Sequence, residues 1–363
     1  MTIQYLAFVR LPTEKAHGLQ IMKTCEAFAH AGARIELAIG RQGRGDPFAT
    51  YGVKKNFSLS ILRGPDLVSW GSLGFIFSLL WFSEVAARQS AFWEADIIYS
   101  RDALILLQYI FLRRTLVYEA HQKPNLVSRF VARRAYRLVV ISRALASAYV
   151  AAGVPREKII VAPDAVDPDF FSQTPERAAA RAEVGLAGAE KVVLYLGHLY
   201  ARKGANTLAT AASRIPDTVF LFVGGIEKDI RRFTAIYGST PNMQIVGYVP
   251  REKIPLYLAA ADLLVLPSSA KDEDSARYGS PMKLFEYMAS ATPILASNVP
   301  ALREVLTDDS AYFFKPDDAE DLARVASRVL ADPARAARGE TAREEAKQYS
   351  WEARARTILS GLA

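Results

Sequence analysis

Residues 190–208 read EKVVLYLGHLYARKGANTL, and the order of parts in that stretch decides the fold. The run from Val192 to Leu196 is apolar without alternation, the mark of a strand buried on both faces. It ends at Gly197. A basic loop with Arg202 and Lys203 follows, and a helical pattern opens near Ala205, just past Gly204. Strand, glycine turn and helix start, in that order, form one βα unit of a parallel sheet.

The same grammar runs in both directions along the chain. Upstream stand IQYLAFVR, RIELAIG, FSLSILRG, ADIIYS, TLVYEAH, RLVVIS and KIIVAPDAV; downstream stand VFLFVGG, MQIVGYV, ADLLVLPS, TPILAS and AYFFKP. Strands separated by helices predict two α/β domains, each a Rossmann-like doubly wound sheet, facing each other across a cleft. The break falls in AVDPDFFSQTPERAAARAEVG, where Asp and Pro punctuate the chain. The first domain is expected over residues 1–170 and the second over 171–346. Residues 347–363 predict a terminal helix with Trp351, Ala355, Ile358 and Leu359 on one side, packing back on the first domain.

Composition narrows the function classes. A lone cysteine, Cys25, forms no internal disulfide, so a reducing, cytoplasmic setting is expected. Four scattered histidines predict no zinc site. MTIQYLAFVR is too short and too strand-like for a signal peptide. Residues 1–170 hold 21 Lys and Arg against 14 Asp and Glu, while residues 171–363 hold 24 of each, so the basic excess sits in the first half. Arg129, Arg133, Arg134, Arg137 and Arg143 form its densest part. A basic face attracts phosphates, and a charged, solvated helix face is the plainer reading. The patch lacks ribonucleoprotein and zinc-finger patterns, so no nucleic-acid partner is expected. Residues 67–83, LVSWGSLGFIFSLLWFS, carry no charge and fall short of a membrane span. Two readings stand for them: a buried core helix, or a helix that rests on a membrane surface.

Chemistry in this architecture belongs in the loops after the strands. The Gly197 loop offers helix-start amides with Arg202 and Lys203, a setting for a diphosphate. A second candidate is SARYGSPMKLFEYMASATPILAS, residues 275–297. Ser280, Pro281 and Met282 lead into a helix whose first turn holds Lys283, where the helix dipole disfavours a cation. A nearby anion explains that lysine, and so does a solvent-facing side chain. Glu286, one turn on, suits two vicinal hydroxyls such as those of a ribose.

SPMKLFEYMASATPILAS, with ADLLVLPS upstream, resembles the donor signature of the family 4 retaining glycosyltransferases with the two-domain B fold. VVISRAL, IIVAPDAVDPDFF, YLGHLYARKG, LFVGG, IVGYVPREKIPLYLAAADLLVLPS and the closing YSW follow in that family's order. The resemblance covers nearly the whole chain and is strongest from Lys191 to Pro300. It implies a nucleotide sugar as co-substrate, with UDP as the preferred carrier. The acceptor would be a saccharide or lipid-linked saccharide, and the anomeric configuration would be retained. By position, Lys203 would hold the pyrophosphate with Arg202 and the Gly197 turn. The base would lie against Gly247, Tyr248 and Val249, and Glu286 would take the ribose hydroxyls. Ser280, Pro281, Met282 and Lys283 would line the sugar and phosphate. His121, in YEAHQKP, would stand beside the transferred sugar, and His17 with Gly18 would line the sugar and acceptor loop.

Three positions depart from the pattern. Tyr278 replaces a second glutamate, His198 replaces a basic residue after Gly197, and Asp164-Ala165 replaces Asn-Gly. All three leave the identity of the sugar open. The triplet Asp272-Glu273-Asp274 resembles a metal site of the other large glycosyltransferase fold. Basic residues and helix dipoles can meet leaving-group charge instead, so no metal and no other cofactor is expected. A nucleotide-sugar epimerase, a phosphorylase and a binding module without turnover are the alternatives. An anionic membrane surface is a further expected partner, with the enzyme peripheral on its cytoplasmic face.

Overall fold

A computed structural model of the chain describes residues 1–65, 67–90, 94–112, 114–172, 175–188 and 191–362. It divides into two units. One comprises Met1–Asp164 and the C-terminal stretch from Trp351; the other is Ala165–Ser350.

The first unit is a seven-stranded sheet: β1 (Thr2–Leu11), β2 (Arg34–Gln42), β3 (Ser58–Ile61), β4 (Ile97–Ser100), β5 (Leu116–Ala120), β6 (Arg137–Val140) and β7 (Ile159–Val161). Its order is β3-β2-β1-β4-β5-β6-β7, every pairing parallel. The second unit has six strands: β8 (Val192–Leu196), β9 (Val219–Val223), β10 (Met243–Gly247), β11 (Leu263–Leu266), β12 (Ile294–Ser297) and β13 (Tyr312–Phe314). Its order is β10-β9-β8-β11-β12-β13, again all parallel. Each sheet therefore reverses direction of growth once, between β1 and β4 and between β8 and β11. These are the doubly wound sheets that the strand–helix alternation predicts.

Residue alternation along β8 explains why both faces of its sheet are covered. Val192, Leu194 and Leu196 belong to one apolar cluster, with Leu284 and Phe285. Val193 and Tyr195 point to the other, with Leu208 and Leu322. Successive side chains leave a strand on opposite sides, so an unbroken apolar run needs helices on both. Asp262 then fastens the start of β8. Its buried carboxylate accepts from Val192 N (2.8 Å), Arg177 Nη1 (3.1 Å) and Arg181, tying in the helix Arg177–Glu183.

The C-terminal helix, Trp351–Ser360, packs against the helix Ala16–His30 of the first unit. Its inward face holds Trp351, Ala355 and Ile358, while Leu359 is half-buried. The sequence reading missed Arg354, a charged residue buried on that same face at 5% exposure.

Residues 67–83 form a 3-10 turn, Val68–Trp70, and the start of the helix Ser72–Ser90. Leu79, Phe82 and Ala86 are core, but Trp70 (77% exposed), Leu73 (83%), Ile76, Phe77, Leu80 and Trp81 face outward. A buried core helix therefore describes only one side of it. Among the described residues no helix is long and apolar enough to cross a membrane.

Candidate active site

In the second unit the strand order turns at β8 and β11, and ligands of doubly wound sheets bind outside the strand ends at such a point. Two loops meet there. One leaves β8 at Gly197, whose φ of 136° is open only to glycine. It continues through a 3-10 turn, Ala201–Lys203, to Gly204 (φ 75°) and the helix Ala205–Ala212. A Cβ on Gly204 would lie 1.5 Å from the Pro267 carbonyl oxygen, so the loop after β11 presses directly on this turn. The other loop runs through a turn of π-helix, Asp274–Tyr278, into the helix Met282–Ala289. Neither helix start carries a side-chain cap or an acidic residue in its first turn. Helix-start amides and the positive dipole end are thus left without an anionic partner from the first turn.

Both loops bring a lysine. Lys283 Nζ lies 4.2 Å from the centroid of the Tyr195 ring and 3.6 Å from where a Gly197 Cβ would stand, so it is not a solvent-facing lysine. Burial pushes its ammonium well below the usual lysine range, and Lys203 pushes it further, against the pull of Glu286. Lys203 is also lowered, by burial and by Arg202, with Asp272 opposing. Among the described residues neither lysine has a carboxylate within ion-pair distance. A cation over an aromatic ring recovers about 2 kcal/mol, less than the several kcal/mol that desolvating an ammonium costs. Two such cations side by side form a place for an anion.

Glu286 is buried, 7% exposed, and its Oε1 accepts from Arg251 Nη1 at 2.8 Å. Arg251 stacks near Phe170 and Phe171, at 5.2 and 5.5 Å to their centroids. Sequence reasoning missed Arg251, although it follows the loop after β10 that the base was expected to use. In that loop Gly247 is buried, Val249 half-buried and Tyr248 exposed at 67%. The Gly247 carbonyl accepts from Gly224 N at 2.6 Å, which joins the β9 and β10 loops. Ser280 is buried, and Pro281 and Met282 are half-buried ahead of Lys283. Arg202 is exposed, 5.5 Å from the Tyr200 ring, and His198 stacks on the same ring at 4.9 Å. Tyr278 is buried where the family pattern has a glutamate.

The first unit gathers its candidates at the ends of β1, β4 and β5. His121 follows β5, and its Nε2 lies 2.7 Å from Glu119 Oε1. His17 lies in the first turn of the helix Ala16–His30, with Gly18 packed so tightly that a Cβ would meet the Tyr51 hydroxyl at 2.3 Å. Burial, Arg101, Lys15 and His121 hold His17 down at about 4, so it is neutral at pH 7. Arg101, just past β4, is a second residue the sequence reading passed over. Its position at a strand end was the available signal.

Asp272 caps the turn that follows it, accepting from Ser275 N at 2.8 Å. That bond, with Arg202 and Lys203 nearby, keeps its carboxyl below the usual range. Among the described residues no three His, Cys, Asp or Glu side chains gather as a metal site.

Residues 176–349 match the model of a family described as glycosyl transferases group 1. A 2-deoxystreptamine glucosyltransferase of Streptomyces kanamyceticus is 29% identical over 225 residues, 59% of this chain and 56% of that one. The chain thus spans about half the length of the curated relative it matches. Two solved structures share the fold nearly end to end. Sucrose-phosphate synthase of Thermosynechococcus elongatus has a TM-score of 0.82 at 22% identity, covering 99% of this chain and 97% of its own. The Anabaena protein HepE, in complex with UDP and glucose, has a TM-score of 0.79 at 20% identity, covering 99% and 98%.

The lysine pair makes a pH-dependent prediction. A bound diphosphate stabilises both ammonium groups, so binding takes up protons wherever the free lysines are partly neutral. Affinity for UDP should fall as pH rises through their lowered values, well before the ordinary lysine value of about 10.4. Calorimetry over a pH series below that value, in buffers of different ionisation heat, should register net proton uptake that grows as pH rises toward the lowered lysine values. Lys283→Met should abolish most of it. Proton-neutral binding with flat affinity across that range would contradict the pair.

Proposed function

We propose that this chain, which carries a group 1 glycosyl transferase domain in its second unit, moves a sugar from a nucleoside diphosphate to an acceptor hydroxyl. The observation that carries this reading is the unneutralised pair Lys203 and Lys283 beside two uncapped helix starts. That is a diphosphate's environment. Glu286, held in place by Arg251, takes the ribose hydroxyls, and the base lies along Gly247, Tyr248 and Val249. UDP is the preferred carrier, in keeping with the nucleotide on HepE.

As the glycosidic bond breaks, negative charge grows on the leaving diphosphate. Lys203, Lys283 and the helix-start amides meet that charge without reorganising, so they lower the barrier more than they tighten binding. No side chain is assigned as nucleophile. The acceptor attacks from the face that the diphosphate leaves, and the anomeric configuration is retained. No metal is required, since the cations supplied by the protein do its work. Ser280, Pro281 and Met282 contact the donor sugar or phosphate. His121 contacts the transferred sugar, and His17 and Gly18 line the acceptor.

The acceptor is a saccharide, and the surface of the first unit favours a lipid-linked one at the cytoplasmic face of a membrane. The helix Ser72–Ser90 packs beside Ala103–Tyr109, which packs beside Leu126–Arg134. This row of helices exposes Trp70, Leu73, Phe77 and Trp81 at one side, and Phe111 and Leu126 further along. Arg129, Arg133 and Arg134 lie exposed on its last helix. Apolar side chains beside arginines suit an anionic bilayer surface.

Two predictions test this function. With a panel of labelled nucleotide sugars, scored for hydrolysis and transfer, Lys203→Ala should lower turnover on the order of 10²-fold. Glu286→Ala should mainly weaken nucleotide binding, and excess chelator should leave the wild-type rate unchanged. Unaltered turnover in both variants would remove the donor assignment; loss in chelator with recovery on Mg²⁺ would remove the metal-free mechanism. In liposome co-sedimentation the chain should bind anionic vesicles at low salt and release as salt screens the arginines. Trp70→Ser with Phe77→Ser should weaken that binding. Absence of binding at low salt, with efficient transfer to a water-soluble acceptor, would discard the membrane role.

A further inference from the structure

Glu119, the penultimate residue of β5, is fully buried and saturated with donors. Its Oε1 accepts from Gln20 Nε2 (2.7 Å) and Arg354 Nη2 (2.8 Å) and meets His121 Nε2 (2.7 Å); its Oε2 accepts from the Tyr99 hydroxyl. Arg354 is itself fixed, through Nε to the Pro163 carbonyl (3.0 Å) and Nη1 to Thr24 Oγ1 (3.4 Å). Arg101 Nη1 bonds the other end of Gln20, at Oε1 (2.7 Å). Residues from the first helix, β4, β5 and the last helix thus converge on one carboxylate, 235 positions from its arginine.

We propose that Arg354 is a positioning residue: it keeps Glu119 an acceptor-only carboxylate, and Glu119 in turn sets the tautomer and ring direction of His121. The role rests on the reading that His121 meets the transferred sugar. Burial alone would raise Glu119, but Arg354, with His121 and Arg101, more than offsets it and holds the carboxyl well below the usual range. Burial and Arg101 keep His121 below the ordinary histidine value, against Glu119 and Asp164. His121 in turn acts on His17, helping to lower it. A neutral imidazole facing an ionised carboxylate carries its proton on Nε2, which leaves the Nδ1 lone pair to accept a hydrogen bond from a sugar hydroxyl. Without the guanidinium, the Glu119–His121 pair would hold one more proton and lose that acceptor.

Nitrogen-detected NMR of labelled histidines tests the link directly, because the chain has only four. His121, assigned through His121→Asn, should be the Nε2–H tautomer in the wild type. In Arg354→Met the pair should take up a proton about one to three pH units higher, with Arg354→Lys returning part of the way. Melting curves report whether the variants fold. If Arg354→Met does not, the double variant Glu119→Leu, Arg354→Met removes the charged pair together, leaves no carboxylate to accept from Nε2, and should abolish the tautomer preference. A folded Arg354→Met with the wild-type tautomer and titration would overturn the proposal, as would an unchanged tautomer in the double variant. In kinetics, Arg354→Met should lower kcat up to about 10-fold, the worth of one hydrogen bond, while the donor KM holds. A general rise in KM at constant kcat would count against a positioning role. Should the chain transfer no sugar from any donor, the enzymatic reading falls, and the NMR result still decides the link.

Discussion

Two ammonium groups that are taken partly out of water, with no carboxylate within ion-pair distance among the described residues, are the constraint on which the second unit turns. Burial lowers the affinity of both lysines for a proton, Arg202 adds to this at Lys203 and Lys203 at Lys283, and Asp272 and Glu286 oppose it only from beyond ion-pair distance. Elsewhere the chain does neutralise: Asp262 carries Arg177 and Arg181, and Glu286 carries Arg251. The exception stands at the strand-order reversal, where Gly197 and Gly204 let the backbone fold tightly and two helix starts lack caps. Perturbed like charges concentrated at such a point mark a functional-site candidate, here one suited to an anion.

The first unit handles its central charge in the opposite way. Glu119 is buried more completely than either lysine and receives four donors, so its pairing is closed from within. Breaking a buried pair of this kind is expensive, whereas an internally satisfied one adds direction rather than affinity. The contrast fits the division of labour proposed here: an open, cation-rich pair of loops for the diphosphate, and a fixed frame that aims one histidine.

The strands were legible because the central ones are parallel and covered on both faces, which writes them as unbroken apolar runs such as VVLYL and LLVL. Lys203, Lys283 and Glu286 were legible as candidates because they sit within a few residues of a strand end or helix start. Arg354 was not. It occupies an apolar helical face, and its partner lies on a strand more than half the chain away, a pairing that local pattern does not encode. Arg251 escaped for a related reason, since Glu286 is 35 positions off, with a helix, a strand and a turn of π-helix between them. For residues 67–83 the sequence showed apolarity but not which side of the helix met the core, as its aromatic residues surround the axis.

The central claim is that the second unit is built around a nucleoside diphosphate through Lys203 and Lys283. The most direct test is thermal unfolding of the wild type and of a Lys203→Ala, Lys283→Met double variant, each with UDP, GDP and dTDP. At a hundredfold excess over the dissociation constant, a ligand that binds only the folded state adds about 2.7 kcal/mol, enough to raise Tm by several degrees. The account predicts such a rise in the wild type, largest with UDP, and little or none in the double variant. A wild type that melts at the same temperature with every diphosphate, or a double variant stabilised as strongly as the wild type, would contradict it.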